Sequence, residues 1–495
     1  MSVLKIHDND NVAVALEEVK KGDEIPQGLS TLFACNDIPK GHKISLEDLK
    51  RGENVIKYGF PIGHVTQNVP AGAWLHDHNV KTNLGDLLEY SYEPNLPEEK
   101  SVEYNQTFRG YRRKGGRVGV RNEIWVIPTV SCVNRTAQIL AKQGNEKVRD
   151  IANIEGVFEF THPHGCSQLG NDQRATQRIL AALVNHPNAG GVLVLGLGCE
   201  NNGVAEFKTV LGDYDTNRVK FLIAQEVEDE IAVGSVIVAE LIDYVSQYER
   251  EDCPVSELVV GLKCGGSDAF SGITANPLIG SFSDKLIACG GSTILTEVPE
   301  MFGAETILMN RAKDKTIFDK TVKLINDFKA YFKSYNQPIY ENPSPGNKKG
   351  GISTLEEKSL GCTQKGGRSI VVDVLGYGES IKSKGLNLLN GPGNDAISAT
   401  ALVAGGCHII LFSTGRGTPL GTAVPTIKLA SNSGLFNRKA SWIDFDAGKL
   451  LAGYSLKELT EEFFAYLLEV ASGRPTKTED MGFRDIAIFK NGVIL

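Results

Sequence analysis

The sequence predicts a multidomain α/β chain, with a small N-terminal β module followed by two α/β blocks built on mainly parallel sheets. Three observations predict it. From about residue 109 onward, apolar β-forming runs alternate with helical stretches, the pattern of βαβ units. The first 90 or so residues instead carry short strand signals broken by turns, with almost no helix. At 495 residues the chain is also too long for a single core.

Residues 1–92 form the β module. VAVALEEV, KISLEDL, NVIKYG and PIGHVTQNV read as strands separated by the turns KGDEI, PKGH, KRGE and PAGA. Residues 93–108 are polar, proline-containing and without period, so they read as a linker. The first α/β block covers 109–252. There IWVIPTV leads into NRTAQILAKQ, VFEFTH into QRATQRILAALVN, VLVLGLG into a third helix, and VKFLIAQ into the long helix ending at SQYE. The second block covers 253–495 and is expected to be Rossmann-like. Its strand candidates are LVVGLKC, STILTEV, SIVVDVLGYG and HIILFSTGRG, and its clearest helices are DKTVKLINDFKAYFKSY and LKELTEEFFAYLLEVAS.

Four of the β-forming runs end in cysteine: Cys132, Cys166, Cys199 and Cys264. Ligand sites in open α/β sheets lie beyond the carboxyl ends of the strands. Neighbouring strands are about 4.8 Å apart, so such thiols are expected to converge on one small object, with iron the best match for several thiolates. Plain burial of each thiol is the competing account. Around these ends lie further candidates. His76 and His78 in AWLHDHN would face the same way on a strand and ligate a metal or hold an anion. His42 sits in a turn of the same module. His162 and His164 flank a proline just before Cys166, where either suits proton transfer. Cys199–Glu200 reads as a thiolate beside a carboxylate. In KCGGSDAFSG, glycines and the Ser267 and Asp268 side chains suit a polyol or carboxylate. Glu297 and Glu300 in LTEVPEMFG suit a divalent metal or proton transfer. Asn347, Lys348 and Lys349 in a stiff Pro/Gly loop, and Arg416 in STGRGTP, suit a substrate carboxylate.

Bulk properties exclude several classes. A net charge of −8 without a basic block argues against nucleic acid as a partner. No apolar run is long enough to span a bilayer, and MSVLKIHDND lacks a signal-peptide apolar region. Nine cysteines without framework spacing fit a reducing cytoplasm.

Taken together, THPHGCSQLG, GLGCENN, CGGSDAFSGITANP, LTEVPEMFGAE, ENPSPGNKKGGISTLEEKSLGCTQK and FSTGRGTP closely resemble the altronate dehydratase family along essentially the whole chain. Galactarate dehydratase and the sulfolactate sulfo-lyase large subunit look like relatives, and the N-terminal module resembles the SAF (β-clip) domain. The resemblance implies dehydration of D-altronate to 2-dehydro-3-deoxy-D-gluconate in hexuronate (galacturonate) breakdown, with ferrous iron, or manganese, as cofactor. It further implies a small sugar-acid substrate and a homo-oligomer, a dimer through the first α/β block. The galactarate branch resembles this chain in keeping counterparts of Cys132, Cys166, Cys199 and Cys264. It lacks the HDHN pair and carries serine at the position of Cys362, which gives Cys362 a lesser role.

The expected chemistry is removal of the C2 proton by His162, His78 or Glu300, with loss of the C3 hydroxyl. Charge would be stabilised by Lys349, Arg416 and a metal. The metal is expected on Cys132, Cys166 and Cys199, as an iron–sulfur cluster or a mononuclear site, with Cys264, His76 and His78 as further ligands. A diacid dehydratase, a sulfo-lyase and a sugar-acid sensor are the alternative functions.

Overall fold

Short antiparallel strands build the N-terminal module of this computed structural model, which describes residues 3–27, 30–85, 89–97 and 106–495. Val3–Leu4, Val12–Ala15, Lys43–Ser45 and Trp74–Leu75 form one sheet; Asn54–Lys57, Phe60–Val65 and Val80–Lys81 form another. The four turns expected between them each place a glycine at positive φ, near 92°, 84°, 91° and 84° at Gly22, Gly41, Gly52 and Gly72. That is the backbone region glycine enters without a steric cost. The apolar side of the second sheet, with Val55 and Ile62, shares a core with Ala304 and Leu360 of the C-terminal block.

Half of the expected linker, residues 98–105, lies outside the described residues. The stretch leading to it is laid along the C-terminal block rather than standing free: Tyr92 Oη donates to Ala312 O at 2.8 Å and Asn95 N to Asn310 O at 2.8 Å.

The first parallel sheet has the order Gly156–Glu159, Glu123–Pro128, Ala189–Gly196, Val219–Ile223. Asn134–Val148 and Glu230–Val245 cover one face, and Gly170–Val184 lies in the core on the other. All eight residues of Ala189–Gly196 are buried, which explains its unbroken apolar run. Strand order reverses between Glu123–Pro128 and Ala189–Gly196, so their loops diverge and open a crevice.

The second sheet is parallel throughout, in the order Val371–Leu375, Leu386–Leu389, Ser292–Leu295, Val259–Cys264, Ile409–Thr414, Thr426–Ala430, Phe445–Asp446. Its reversal lies between Val259–Cys264 and Ile409–Thr414. Three strands of this sheet, beginning at Leu386, Thr426 and Phe445, were not among the sequence candidates. The first two are only four and five residues long, and the last is only two.

Candidate active site beneath the β module

The strand Val259–Cys264 ends in a buried lysine and a buried cysteine. Lys263 Nζ reaches Glu297 Oε1 at 2.6 Å and Asp395 Oδ1 at 2.8 Å. Glu297 stands at φ 70°, a strained position for a residue with a side chain, just after the strand Ser292–Leu295. Its other oxygen accepts from Cys264 N at 3.0 Å and faces Lys365 Nζ at 3.3 Å. Burial and the neighbouring Glu300 push the Glu297 carboxyl up. Glu297 therefore fixes the strand end and leaves the open chemistry to its neighbours.

Those neighbours are Cys264, Glu300 and Cys362. Cys264 Sγ donates to Glu300 Oε2 at 3.1 Å and lies 3.5 Å from Cys362 Sγ. All three are buried, and their ligand atoms fall within 4.8 Å of one another, so they can hold one metal ion. Lys358 Nζ pairs with Glu300 Oε1 at 2.7 Å. Burial alone would raise the Glu300 carboxyl, but the Lys358 and Lys365 ammoniums outweigh it and hold it at about 2. The hydrogen bond to Cys264, with burial, pushes the Cys362 thiol well above its ordinary range.

Lys358 and Cys362 stand one turn apart on the helix Leu355–Thr363, capped by Thr354. The i, i+4 spacing in KSLGC, behind a Thr-x-x-Glu cap, was the sequence signal for both, and motif reading passed over it. Cys362 is thus corrected from a lesser role to a member of the buried group.

A narrow crevice, closed to about 10 Å³ in this conformation, lies beside this group, lined by Tyr58, Ser267, Asp268, Ser271, Lys358 and Cys362. Ser267 Oγ is buried and has no hydrogen-bond partner, so it is free for a ligand hydroxyl. Asp268, expected to bind substrate, is already saturated. Its Oδ1 accepts from Ser271 N, Ser271 Oγ and Ser431 Oγ, and its Oδ2 from Asn432 Nδ2, so it anchors the loop. Asn347 likewise spends its amide on Ser267 O, at 2.8 Å, and on the cap of its own short helix. Lys348 is half-buried and Lys349 exposed. Arg416 is exposed too, and its Nη1 reaches only Gly346 O at 3.4 Å, so no carboxylate-binding fork forms there.

The β module roofs the crevice. Lys43 and Lys57 of the module are fully buried and both pair with Glu357, which lines the crevice, at 2.8 and 2.7 Å. Burial alone would raise Glu357, but the two ammoniums hold it at about 2. One carboxylate cannot compensate two ammoniums equally: burial takes Lys43 down to about 8, while the charge of Glu357 keeps Lys57 above its usual value. His76 lies on a turn rather than a strand, so His76 and His78 do not share a face as the spacing suggested. His76 is buried, with Nδ1 3.2 Å from Ser353 Oγ, whereas His78 is exposed and rests on Trp74. Burial, with Lys43 and His42 nearby, pulls His76 down to about 4. His42 packs on the His76 ring with centroids 4.6 Å apart.

The other expected ligands sit elsewhere. Cys132, Cys166 and Cys199 are exposed on loops of the first sheet, so the four strand-end thiols split into a group of three and the separate, buried Cys264. Glu200 is no partner for Cys199. It accepts from Thr129 Oγ1, Leu197 N and Gly198 N and staples its own loop. His162 is buried with Nε2 on Pro128 O at 2.8 Å and Nδ1 accepting from His164 N at 3.2 Å. Both ring nitrogens are committed, which removes it from the proton-transfer candidates.

Comparison with known proteins bears on the whole chain. Three family models match: the altronate/galactarate dehydratase SAF domain at 1–83, the D-galactarate dehydratase/altronate hydrolase second domain at 110–246, and the D-galactarate/altronate dehydratase C-terminal region at 255–494. The chain is 54% identical to altronate dehydratase of Bacillus subtilis (strain 168), and 52% identical to that of Escherichia coli (strain K12), with 100% of each chain covered in both cases. Galactarate dehydratase (L-threo-forming) of Escherichia coli (strain K12) is 34% identical, over 96% of this chain and 94% of that one. With an SAF module, a second domain and a C-terminal region all matched in order, the chain belongs to the D-galactarate/altronate dehydratase family.

Proposed function

We propose that the chain is a hydro-lyase that converts D-altronate to 2-dehydro-3-deoxy-D-gluconate and water, a step of hexuronate breakdown, in the crevice beneath the β module. The observation that carries the location is one buried group: two thiols and a carboxylate drawn together at a strand end, beside a lysine and an unpartnered serine hydroxyl. The identity over full length to altronate dehydratases supports the substrate over a diacid or a sulfonate.

Cys264, Glu300 and Cys362 are the residues to hold ferrous iron; two sulfur donors favour it over manganese. Bound there, iron supplies Lewis acidity that makes the proton beside a carboxylate easier to remove. The rest falls to the chain's own groups. Ser267 Oγ binds a sugar hydroxyl. Lys358, kept charged because Glu300 outweighs its burial, faces the negative charge that develops as C2 loses its proton. His76 is neutral at pH 7 and accepts that proton at Nε2, while Ser353 holds Nδ1. Tyr58, protonated and on the crevice, supplies the proton to the departing C3 hydroxyl, and Lys358 stays charged throughout. The C3 hydroxyl leaves as water with the proton from Tyr58, the proton held on His76 returns through solvent to Tyr58, and the enol left behind tautomerises to the 2-keto acid.

The C-terminal block is Rossmann-like in this reading. Numbered along the chain, its strand order is 3-4-2-1-5-6-7, which becomes the order of that fold once the strand Leu386–Leu389 is taken as an insertion. The site then falls at the order reversal, where such folds place their ligands. Anaerobic turnover with ferrous iron tests the proposal, comparing D-altronate, galactarate and sulfolactate. Formation of the 2-keto acid from D-altronate in clear preference is the expected result. Turnover of galactarate or sulfolactate at equal or higher kcat/KM would overturn the assignment.

A further inference from the structure

The proposed crevice leaves the group of exposed thiols unused. Of nine cysteines, five are buried and Cys35 is intermediate; Cys132, Cys166 and Cys199 are exposed. Free cysteine is ordinarily among the most buried residue types, so three exposed in one place call for a reason. They leave three adjacent strands of the first sheet, around its order reversal.

Their loops are locked together. Ser131 N donates to His164 O at 2.9 Å, Asn202 N to Gly165 O at 3.0 Å, and Ser167 N to Asn201 Oδ1 at 2.7 Å. Asn202 Nδ2 reaches Thr129 O at 3.0 Å. Ser167 stands at φ 60°, a strained conformation that the loop bonds hold in place. A Cβ on Gly165 would meet Thr129 O at 2.0 Å, so the loops approach too closely for any other residue.

A second observation is independent of the thiols. Asn134 Oδ1, Gln168 Nε2 and Asn202 Oδ1 are buried without hydrogen-bond partners. Gln168 and Asn202 are 2% and 1% exposed. Each amide follows one of the cysteines by two or three residues. Of the three, Gln168 Nε2 is the donor without an acceptor, and a bound group carrying acceptor atoms would repay its cost.

We infer that Cys132, Cys166 and Cys199 bind an iron–sulfur cluster, separate from the Cys264–Glu300–Cys362 group. Among the described residues, that buried group is the one whose ligand atoms come within 4.8 Å of one another, as a single ion requires. The exposed thiols do not meet that limit for a single ion, whereas a cluster binds its irons one to each sulfur. Inorganic sulfides of the cluster accept from the Gln168 amide. Three protein ligands leave one iron of a cubane open to a small oxygen ligand. The inference does not rest on the dehydration reading.

The test uses the full chain purified without oxygen, with iron and acid-labile sulfide measured on wild type and on Cys132→Ser, Cys166→Ser, Cys199→Ser and Cys264→Ser. The expected result is about four sulfides per wild-type chain, with broad visible absorption. Each of the first three variants should lose most of the sulfide, and Cys264→Ser should keep it. Iodoacetamide labelling of the wild type, mapped by mass spectrometry, guards against a variant that misfolds: Cys132, Cys166 and Cys199 should be protected until the iron is chelated. Wild type without labile sulfide, sulfide retained in the three variants, or free labelling of the three thiols before chelation would each overturn the inference. Sulfide and labelling are read without substrate, so a failed turnover assay would bear on the proposed reaction and not on this site.

Discussion

Two strand-end thiol sites occupy equivalent places in the two parallel sheets, each at the reversal of strand order, yet they are built for different work. At Cys264 the strand end is roofed by the β module, and the charges are matched inside: Lys263, Lys358 and Lys365 against Glu297, Glu300 and Asp395. At Cys132, Cys166 and Cys199 the thiols face outward from hydrogen-bonded loops. A run of β-formers closing on cysteine is the same signal in all four cases. What covers the strand end decides whether the thiol meets a buried ion-pair network or the open surface.

The largest effect expected from breaking this contrast is at Lys358. Lys358→Gln removes the ammonium on the crevice and leaves Glu300 buried without its closest partner, so kcat should fall by roughly 10³-fold. A steady-state assay of D-altronate turnover measures it, and a change below tenfold would move the chemistry away from the buried group. His76→Asn should cost about 10²- to 10⁴-fold in kcat with KM little changed, as loss of a proton acceptor does. In the wild type the acid limb of kcat/KM should rise with pH through about 4, where His76 gives up its proton, and stay level to neutral pH. The Asn variant should lack that limb.

Smaller, and on stability rather than rate, is the module's clamp. Glu357→Gln strands two buried ammoniums, and thermal unfolding should show a loss of about 3–5 kcal/mol. The sign with pH follows from the lowered carboxyl. Glu357 folds with a pKa of about 2 against 4.5 unperturbed, so its contribution is full above the unperturbed value. It should disappear as pH falls from 4.5 towards 2, giving a steeper acid loss of stability in wild type than in the variant. The smallest effect belongs to Arg416→Ala. Its guanidinium is exposed and touches only a backbone carbonyl, so kcat/KM should change by less than about threefold.

Much of this architecture was legible in the sequence. Buried parallel strands write themselves as unbroken apolar runs, which is why Ala189–Gly196 and Val259–Cys264 stood out. Glycine turns marked the β module for the same local reason. The site was legible only in part. Cys264, Glu300 and Ser267 were found because they sit in conspicuous Gly-rich loops at strand ends. Lys43, Lys57 and Glu357 were not, because their pairing joins residues about 300 positions apart through domain packing. His162 misled for a related reason: the strand end that displays a histidine to the reader also supplies the carbonyl that ties it down. Asp268 was singled out for polar company that turns out to consume its carboxylate.

The measurement that tests the central claim most directly is the structure of the iron-loaded chain with D-altronate bound under anaerobic conditions. The sugar acid should lie in the crevice beneath the β module, hydrogen-bonded to Lys358 Nζ and Ser267 Oγ, with Cys264, Glu300 and Cys362 on the iron. Finding it instead over Cys132, Cys166 and Cys199, with the buried crevice empty, would contradict the account.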